Sequence, residues 1–330
     1  MGPKSPFTTS IFTLSLDFEL IWGTIDRHGI DDFRHICEVE RAEVIDRLLE
    51  LLAEFEVPAT WAIVGHLFLA RCSPVGAIKH PEIVHPKHSW VTGDWFDHDP
   101  GGDESTAPLF FGRSLIQKIR SCRVAQEIGS HSFSHVIFGD PGCSRSTAES
   151  ELRESVRAAR DLGIELRSFI FPRNSIGYLD IFPDYGFTCF RADPPSIAGP
   201  PNSQLARLIR LVEMLTASRP PVGLPELTSS GMWNIPASMI YVPMHGMRRF
   251  LPMSLRVRRA IRGLQHAEEE KKIFHLWFHP TNLADGIESM FSGLRQIFQH
   301  AANLRAEGRM AFRSMGQIAE ECQHGRQSRT

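Results

Sequence analysis

The amino-acid sequence predicts a parallel α/β fold, either a barrel or a sheet, for two reasons. Short apolar, β-prone runs alternate with helical patterns at roughly 30- to 40-residue intervals, which is the rhythm of βαβ units. Polar residues directly follow several predicted strands, and the carboxyl ends of parallel strands form the edge where such folds bind ligands. With 330 residues, 42% of them hydrophobic, the chain can bury one large core.

Apolar or β-branched runs predict six strands, at residues 12–16, 59–65, 125–130, 167–172, 188–192 and 273–278. Apolar residues at helical spacing predict helices at 38–55, 112–121, 146–163 and 289–305, with a last strand and helix from Met310. Ser146 and Glu149 have the S-x-x-E spacing of a capping box, which places the start of the third helix at Ser146.

Two regions interrupt this rhythm. Residues 80–108 are rich in His, Pro, Asp and Trp and are too long for an ordinary connection between a strand and a helix. Residues 195–254 are rich in proline and contain a candidate β segment at 232–242 (MWNIPASMIYV). We expect both regions to be insertions into a single domain.

Composition excludes some classes of protein. The chain has 36 basic and 38 acidic residues, whereas a general nucleic-acid-binding protein is usually strongly basic. The longest mostly apolar run, residues 59–70, is too short to span a bilayer, and residues 1–10 lack the apolar core of a secretory signal. Six cysteines without C-x-x-C spacing indicate reduced thiols. We therefore expect a cytoplasmic protein without a transmembrane segment.

Ionisable or amide side chains directly follow five of the predicted strands. They are Asp17 and Glu19, His131 and His135, Arg173 and Asn174, Asp193, and His279. Because the carboxyl ends of parallel strands meet at one edge, we expect these side chains to converge there.

The residue types at this edge are those of a metal site. Asp17 and Glu19 point to the same side of an extended chain, and a divalent cation would relieve the repulsion between two adjacent carboxylates. His131 and His135 could share one face if the chain turns helical after Ser130, which would let two imidazoles bind one zinc ion. One carboxylate and two imidazoles leave a position open for water, as in catalytic zinc sites.

Each pattern also has an interpretation without function. An Asp-x-Glu sequence is common after a strand, and the two histidines of HSFSH could cap a helix or pack in the core. His279 could be a buried structural histidine. His275, in the same predicted strand, is more simply a core or wall residue, and we interpret its spacing of four from His279 as accidental.

Taken together, these residues resemble the polysaccharide deacetylase family, the NodB-homology carbohydrate esterases. The family has an apolar strand with paired acids, followed by a sequence motif similar to EVPATWAIVG (56–65). Next come an H-S/T-x-x-H motif, similar to HSFSH (131–135), and a late Leu-x-x-His motif, similar to LWFHP (276–280). These blocks occur in family order over residues 11–282. The resemblance implies a distorted (β/α) barrel of parallel strands, of the NodB-homology type, with residues 1–330 forming one catalytic domain.

The resemblance also implies a reaction and the residues that carry it. The function would be metal-dependent removal of an N-acyl group, acetyl or formyl, from an amino sugar or glycan. Three ligands are implied for one divalent ion, expected to be Zn²⁺: Glu19, His131 and His135. Four catalytic residues are implied. Asp17 would be the general base, His279 the general acid, and Arg173 the residue that steadies Asp17. Asp193 matches the aspartate-bearing strand that is the family's fourth motif.

Two positions depart from the family pattern. Phe18 occupies the position of the family's usual second aspartate, which is a metal ligand. Glu19 would take the role of that ligand, as in family branches with a D-x-E pattern. The sequence FPRN (171–174) replaces the usual Arg-x-Pro order around Arg173. These departures favour small or lipid-linked sugars over chitin and peptidoglycan as substrates.

Three residues are predicted to bind the substrate: Asp94, Trp95 and Asn174. The first two belong to the aromatic and acidic stretch HSWVTGDWFD (88–97), which suits a stacked sugar ring, although Trp90 and Trp95 could also be core residues.

A basic segment at residues 248–262 contains six arginines, and residues 228–266 contain no Asp or Glu. It could be a solvated helix. Alternatively, clustered guanidiniums could bind the phosphate of a nucleotide- or lipid-linked sugar, or the segment could lie on a membrane surface as a peripheral contact.

Two other functions stay open at this stage. One is hydrolysis of a cyclic amide or ureide, as in the allantoinase-like members of the same superfamily. The other is a non-enzymatic sugar-binding relative, which the presence of all five candidate metal and acid–base residues disfavours.

Overall fold

A ten-stranded, mainly parallel sheet curls into a distorted barrel in the computed structural model, which describes residues 7–25, 30–74, 78–193 and 212–327. The strands of these ranges are β1 (Ser10–Phe18), β2 (Ala59–Ile63), β3 (Arg71–Cys72), β4 (Gly102–Asp103), β5 (Glu127–Ser130), β6 (Ser168–Ile170), β7 (Cys189–Arg191), β8 (Glu226–Leu227), β9 (Trp233–Asn234), β10 (Met239–Ile240), β11 (Ile273–Phe278) and β12 (Met310–Phe312). The helices are α1 (Ile30–Val39), α2 (Ile45–Glu54), α3 (Arg113–Arg120), α4 (Arg145–Arg160), α5 (Met253–Glu270), α6 (Ile287–Ala306) and α7 (Met315–Gln327).

The strand order in the main sheet is β10-β11-β1-β2-β5-β6-β7-β9-β8, with β12 paired to the start of β1. Every pairing in this sheet is parallel except that of β8 with β9. All nine residues of β1 are buried, as expected for a central strand of a parallel sheet that is covered on both faces. The expected distorted barrel of parallel strands is therefore confirmed.

One short segment, residues 233–241, closes the barrel. Its first half follows β7, since the amide of Ile235 donates to the carbonyl of Phe190 at 2.8 Å. Its second half follows β11, since the amide of Tyr241 donates to the carbonyl of Trp277 at 2.9 Å. The change of partner occurs between Ala237, whose amide donates to the carbonyl of Ala192, and Ser238, whose amide donates to the carbonyl of His275, both at 2.9 Å.

All six strands predicted from the sequence are present, with bounds within two residues of the expected ones. The predicted helix at 38–55 begins earlier, at Ile30, and a π-turn at Glu40–Val44 divides it into α1 and α2. The capping-box prediction is wrong: α4 begins at Arg145, and its cap is Ser144, whose hydroxyl accepts from the amide of Thr147 at 3.1 Å.

The candidate β segment at 232–242 is confirmed, but it belongs to the main sheet and not to an insertion. Within the expected insertion at 195–254, residues 195–211 lie outside the described residues. The expected insertion at 80–108 contains only the short strand β4, which pairs with β3 in a separate antiparallel sheet. No helix within the described ranges is both long and apolar enough to cross a membrane. The six cysteines are free thiols.

Candidate active site

Three imidazoles converge on one carboxylate oxygen at the carboxyl ends of the barrel strands. Oε1 of Glu19, the residue after β1, lies 2.9 Å from Nε2 of His131, 3.2 Å from Nε2 of His135 and 3.4 Å from Nε2 of His279. Glu19, His131 and His135 are buried, and His279 is partly exposed. The structure therefore brings together four predicted site residues from the ends of three different strands.

The hydrogen bonds around these imidazoles favour a cation between them. Nδ1 of His131 lies 2.8 Å from the carbonyl oxygen of Ile170, which can only accept, so Nδ1 carries a proton. Nε2 of the same ring faces the Glu19 carboxylate at 2.9 Å. An imidazole nitrogen and a carboxylate oxygen at this distance must share a proton or a metal ion. The ligand atoms of Glu19, His131 and His135 lie within 4.8 Å of one another, which fits a shared divalent ion.

A glycine leaves the room that the Glu19 carboxylate needs. A Cβ atom on Gly23 would lie 1.7 Å from Oε2 of Glu19, in the 3₁₀ turn Leu20–Thr24 that follows β1. Any other residue at position 23 would displace this carboxylate from the histidines.

The two histidines of HSFSH are brought together by a loop and not by the helical turn expected after Ser130. Residues 131–135 are not helical, and Ser132 and His135 have positive φ angles of 62° and 63°. Residues with side chains rarely adopt this conformation unless surrounding contacts hold them in it. The expected shared helical face is therefore wrong, although the two imidazoles do point to the same carboxylate.

Two sets of contacts hold this catalytic loop, which we define as residues 131–135. Glu151 of α4 is buried, and its carboxylate accepts from the amides of Phe133 and Ser134 at 2.8 and 2.9 Å and from the Ser134 hydroxyl at 2.6 Å. On the opposite side, the amide of Gly65 donates to the carbonyl of Ser132 at 2.7 Å. A Cβ on Gly65 would lie 2.8 Å from Cα of Phe133, so the loop can approach β2 only because residue 65 is glycine.

Asp17 is paired with Arg191 of β7. The two side chains are buried and form two parallel hydrogen bonds of 2.7 Å, and the Arg191 guanidinium also lies 4.1 Å from the ring centre of Trp277. The family resemblance implied that Arg173 steadies Asp17. The residue that the structure places in this role is Arg191, one position before the predicted strand 188–192 ends.

Arg173 and its neighbours form one wall of the site. Arg173 lies in a 3₁₀ turn after β6, and its guanidinium lies 5.1 Å from the ring centre of Trp90. The amide of Asn174 connects Arg191 with the predicted Asp193: its oxygen accepts from Arg191 at 3.1 Å, and its nitrogen donates to Asp193 at 3.1 Å. Asp193 is thus linked to Asp17 through Asn174 and Arg191.

The charges in the site are mutually stabilised. Burial tends to raise the pKa of Asp17, but the charge and hydrogen bonds of Arg191 outweigh it and lower the pKa below its usual value. Burial likewise raises the pKa of Glu19, but the charges of His279 and His135 and the hydrogen bond with His131 lower it well below the usual value. Burial lowers the pKa of His279, whereas the carboxylates of Glu19 and Asp17 raise it to about 9.

A cleft of about 300 Å³ opens over these residues. It is lined by Asp17, Glu19, Gly23, His135, Arg173, Asn174, Trp277 and His279. The predicted substrate-binding Trp95 is not among them: it is buried, and its indole N–H donates to the carbonyl of Ser134 at 2.9 Å, so it supports the catalytic loop. Asp94 contacts His85 at 2.7 Å and the amide of Phe96 at 2.9 Å within the insertion. The aromatic side chain at the cleft is Trp277.

Four residues near the site were missed by sequence reasoning: Glu40, Glu151, Arg191 and Trp277. Arg191 had a visible signal, because a charged side chain inside a predicted buried strand needs a buried partner. No such signal marks Glu40 in the sequence. Glu40 lies in the π-turn Glu40–Val44, which packs against the turn that follows His279. Burial and the Glu19 carboxylate raise the pKa of Glu40 well above its usual value.

The basic segment 248–262 does not present six arginines to a phosphate. Arg256 is buried and donates to backbone carbonyls, among them that of Arg248 at 2.7 Å. Arg259 pairs with Glu213 at 3.0 Å, and Arg262 donates to the carbonyl of Ala217 at 2.6 Å. Half of the expected phosphate-binding guanidiniums are therefore engaged within the protein.

Comparison with known proteins shows the fold. No protein-family model matches the chain, and no curated protein matches it in sequence. A protein from Mycobacterium smegmatis described as a polysaccharide deacetylase has a TM-score of 0.62 at 15% identity, covering 99% of this chain and 96% of its own. The Puue allantoinase has a TM-score of 0.60 at 11% identity, covering 97% of this chain and 93% of its own. A protein from Pseudomonas aeruginosa PAO1 described as a polysaccharide deacetylase has a TM-score of 0.54 at 12% identity, covering 94% of this chain and 91% of its own.

The chain therefore has the NodB-type deacetylase fold, as the sequence resemblance implied. The Puue allantoinase has the same fold.

Proposed function

We propose that this protein is a metal-dependent hydrolase that removes an N-acyl group from an amino sugar or glycan. The observation that supports this most strongly is the convergence of three imidazole nitrogens on one carboxylate oxygen within 3.4 Å, beside a second carboxylate held ionised by Arg191. Such a set combines metal ligands with an acid and a base in one cleft.

Glu19, His131 and His135 would hold the metal ion, which we propose to be Zn²⁺. Mixed imidazole and carboxylate ligation with three protein ligands is typical of catalytic zinc. When bound, such an ion lowers the pKa of coordinated water and polarises the carbonyl of an amide.

Asp17 and His279 would divide the proton transfers. Arg191 occupies both carboxylate oxygens of Asp17 and keeps the group ionised, so Asp17 can accept a proton from the attacking water. His279 Nε2 lies 3.8 Å from Oδ2 of Asp17, on a different strand end, and can donate a proton to the departing nitrogen. An amide requires that proton, because an amide anion is a very poor leaving group.

The cleft supports a substrate with a single sugar ring at the reacting position. Its volume of about 300 Å³ is at the lower end of small-molecule sites. Trp277 offers an aromatic side chain on which a sugar ring can stack, and Asn174 and Arg173 offer hydrogen-bond donors to hydroxyl groups. A phosphate group on the substrate is not part of this proposal, because half of the arginines expected to bind it are engaged within the protein.

Hydrolysis of a cyclic amide or ureide is the second candidate. The small size of the cleft favours it, since a compact ring would be held between Arg173 and the carboxylates more completely than a glycan. The same metal and acid–base residues would serve both reactions, so only the substrate separates the two candidates.

The test joins metal content with hydrolysis. We expect about one metal ion per chain at this site, and its loss in His131→Ala and in Glu19→Ala. Gly23→Ala should fold but bind the ion more weakly, because the new methyl group displaces the Glu19 carboxylate. Asp17→Asn should keep the ion and lose amide hydrolysis by a factor on the order of 10² or more. The substrates are N-acetyl and N-formyl amino sugars, free and in short oligomers, and allantoin.

Hydrolysis of allantoin alone would replace the first candidate by the second. Retention of the ion in both His131→Ala and Glu19→Ala would contradict the proposed ligand set, and near-normal turnover by Asp17→Asn would contradict the role of Asp17.

A further inference from the structure

A second group of metal-ligating side chains lies behind the catalytic loop, outside the cleft. It consists of His66, Cys72, His80 and Asp99, whose ligand atoms all lie within 4.8 Å of one another. His66 follows β2 and Cys72 ends β3, whereas His80 and Asp99 belong to the insertion at 80–108. Three of the four side chains are buried, and Cys72 is partly buried.

The three distances from Asp99 to the other members of this group are close to the edges of a metal tetrahedron. Oδ2 of Asp99 lies 3.0 Å from Nε2 of His80, 3.6 Å from Nε2 of His66 and 3.5 Å from Sγ of Cys72. Zinc bonds of about 2.0–2.1 Å to nitrogen and about 2.3 Å to sulfur give ligand-to-ligand distances of roughly 3.3–3.6 Å in a tetrahedron. Since all four ligand atoms lie within 4.8 Å of one another, small adjustments would let them surround one zinc ion.

The other ring nitrogen of each histidine is held by an acceptor. Nδ1 of His66 lies 2.9 Å from the carbonyl of Phe110, and Nδ1 of His80 lies 3.0 Å from the carboxylate of Glu82. Such partners keep the proton on Nδ1 and orient Nε2 towards a metal, as they do in known metal sites. His66 is fully buried, and its Nε2 has no hydrogen-bond partner among the described residues. A buried nitrogen that lacks a hydrogen-bond partner and points into a group of ligands is a candidate metal ligand.

We propose that His66, Cys72, His80 and Asp99 bind a structural zinc ion. One thiolate, two imidazoles and one carboxylate are ligands that zinc accepts, and the thiolate disfavours Mg²⁺ and Ca²⁺. Because the protein supplies all four ligands, no position is left for a catalytic water. Binding converts the Cys72 thiol to a thiolate and releases its proton to solvent.

The ion would tie the insertion to the back of the catalytic loop. The amide of His66 donates to the carbonyl of Phe133 at 2.8 Å, and the Phe133 ring centre lies 5.9 Å from that of His66 and 5.4 Å from that of His80. The insertion also reaches the loop through Trp95, whose indole donates to Ser134. Occupation of this site would therefore position the loop that carries two ligands of the proposed catalytic ion.

The test uses cobalt as well as zinc, because a cysteine ligand has its own spectroscopic signature. The full-length chain should hold two zinc ions, and Co²⁺ in their place should give a thiolate-to-cobalt charge-transfer band in the near ultraviolet. Cys72→Ser should lose this band and one ion. Cys122→Ser is the matched control, since Cys122 is also a partly buried free thiol, and it should keep both. Glu19→Ala should lose one ion but keep the band.

Glu19→Ala removes a ligand of the proposed catalytic ion only. The test of the His66, Cys72, His80 and Asp99 site therefore remains valid even if the proposed catalytic site is wrong. Absence of the band from the cobalt-loaded wild type would overturn the proposal even if Cys72→Ser does not fold. Survival of the band in Cys72→Ser would overturn it as well.

Discussion

The electrostatic arrangement of the site depends on the buried pair of Asp17 and Arg191. Both side chains are buried, and each charge is compensated mainly by the other through two hydrogen bonds of 2.7 Å. A guanidinium suits this position because its planar fork binds both carboxylate oxygens at once.

We predict that Arg191→Met lowers the free energy of unfolding by about 3–5 kcal/mol, since it leaves a buried carboxylate without a partner. Asp17→Asn/Arg191→Met should lose clearly less than the sum of the two single variants, because the double variant buries no unpaired charge. Urea unfolding of the four proteins measures this coupling. Additive losses would show that the two charges do not depend on each other.

A residue's partner was harder to infer than the residue itself. Asp17, Glu19 and His279 could be identified because each directly follows an apolar strand. Arg191 lies 174 positions from Asp17, and the sequence does not reveal which side of β7 it faces. Arg173 was the nearer candidate in the motif, but the turn at Pro172–Asn174 directs it towards Trp90.

At the scale of elements, the catalytic loop is shaped by helix α4. Glu151 extends from this helix and accepts three hydrogen bonds from Phe133 and Ser134, which would otherwise be buried donors without acceptors. The strained φ angles of Ser132 and His135 persist because these bonds hold the backbone on either side.

We predict that Glu151→Ala lowers the free energy of unfolding by about 2–5 kcal/mol, since each buried donor left unsatisfied costs about 1–3 kcal/mol. It should also weaken metal binding by the loop. Glu149→Ala is the control in the same helix: Glu149 pairs with Arg145 at the surface, and its loss should change stability by less than about 1 kcal/mol. Equal effects of the two substitutions, measured by urea unfolding and metal titration, would contradict this role for Glu151.

The element predictions succeeded where local pattern decides the structure and failed where contacts decide it. The predicted strands are apolar runs that only a buried sheet accommodates. The helical turn expected at residues 131–135 is absent because Glu151 and Gly65 bind the loop backbone from opposite sides. Helix α4 is capped by Ser144 and not by Ser146. The two hydroxyls are close in sequence, and residue spacing alone does not determine which of them caps the helix.

At the scale of the whole molecule, barrel closure depends on a close contact beside the segment 233–241. The amide and carbonyl of Gly223 form a bridge with Ile273 at the start of β11, and a Cβ on Gly223 would lie 2.5 Å from Cγ of Pro236. The proline ring cannot rotate away as a flexible side chain would.

We predict that Gly223→Ala lowers the free energy of unfolding by about 1–3 kcal/mol, because the methyl group overpacks the closing segment. Gly325→Ala is the control: nothing lies within 4 Å of its added Cβ, and alanine favours the helix α7, so stability should stay unchanged or rise. Thermal or urea unfolding compares the two. A neutral Gly223→Ala would show that the closing segment shifts freely.

The sequence by itself determined the strand order along the chain, the edge at which the polar residues collect, and the types of ligand offered there. These properties follow from the hydrophobic period and from the position of a residue relative to a strand end, which are local. Only the tertiary structure decided that Arg191 pairs with Asp17, that Trp277 and not Trp95 faces the cleft, and that His66, Cys72, His80 and Asp99 meet. Each of these depends on side-chain direction and on contacts between distant segments, and local pattern does not carry that information.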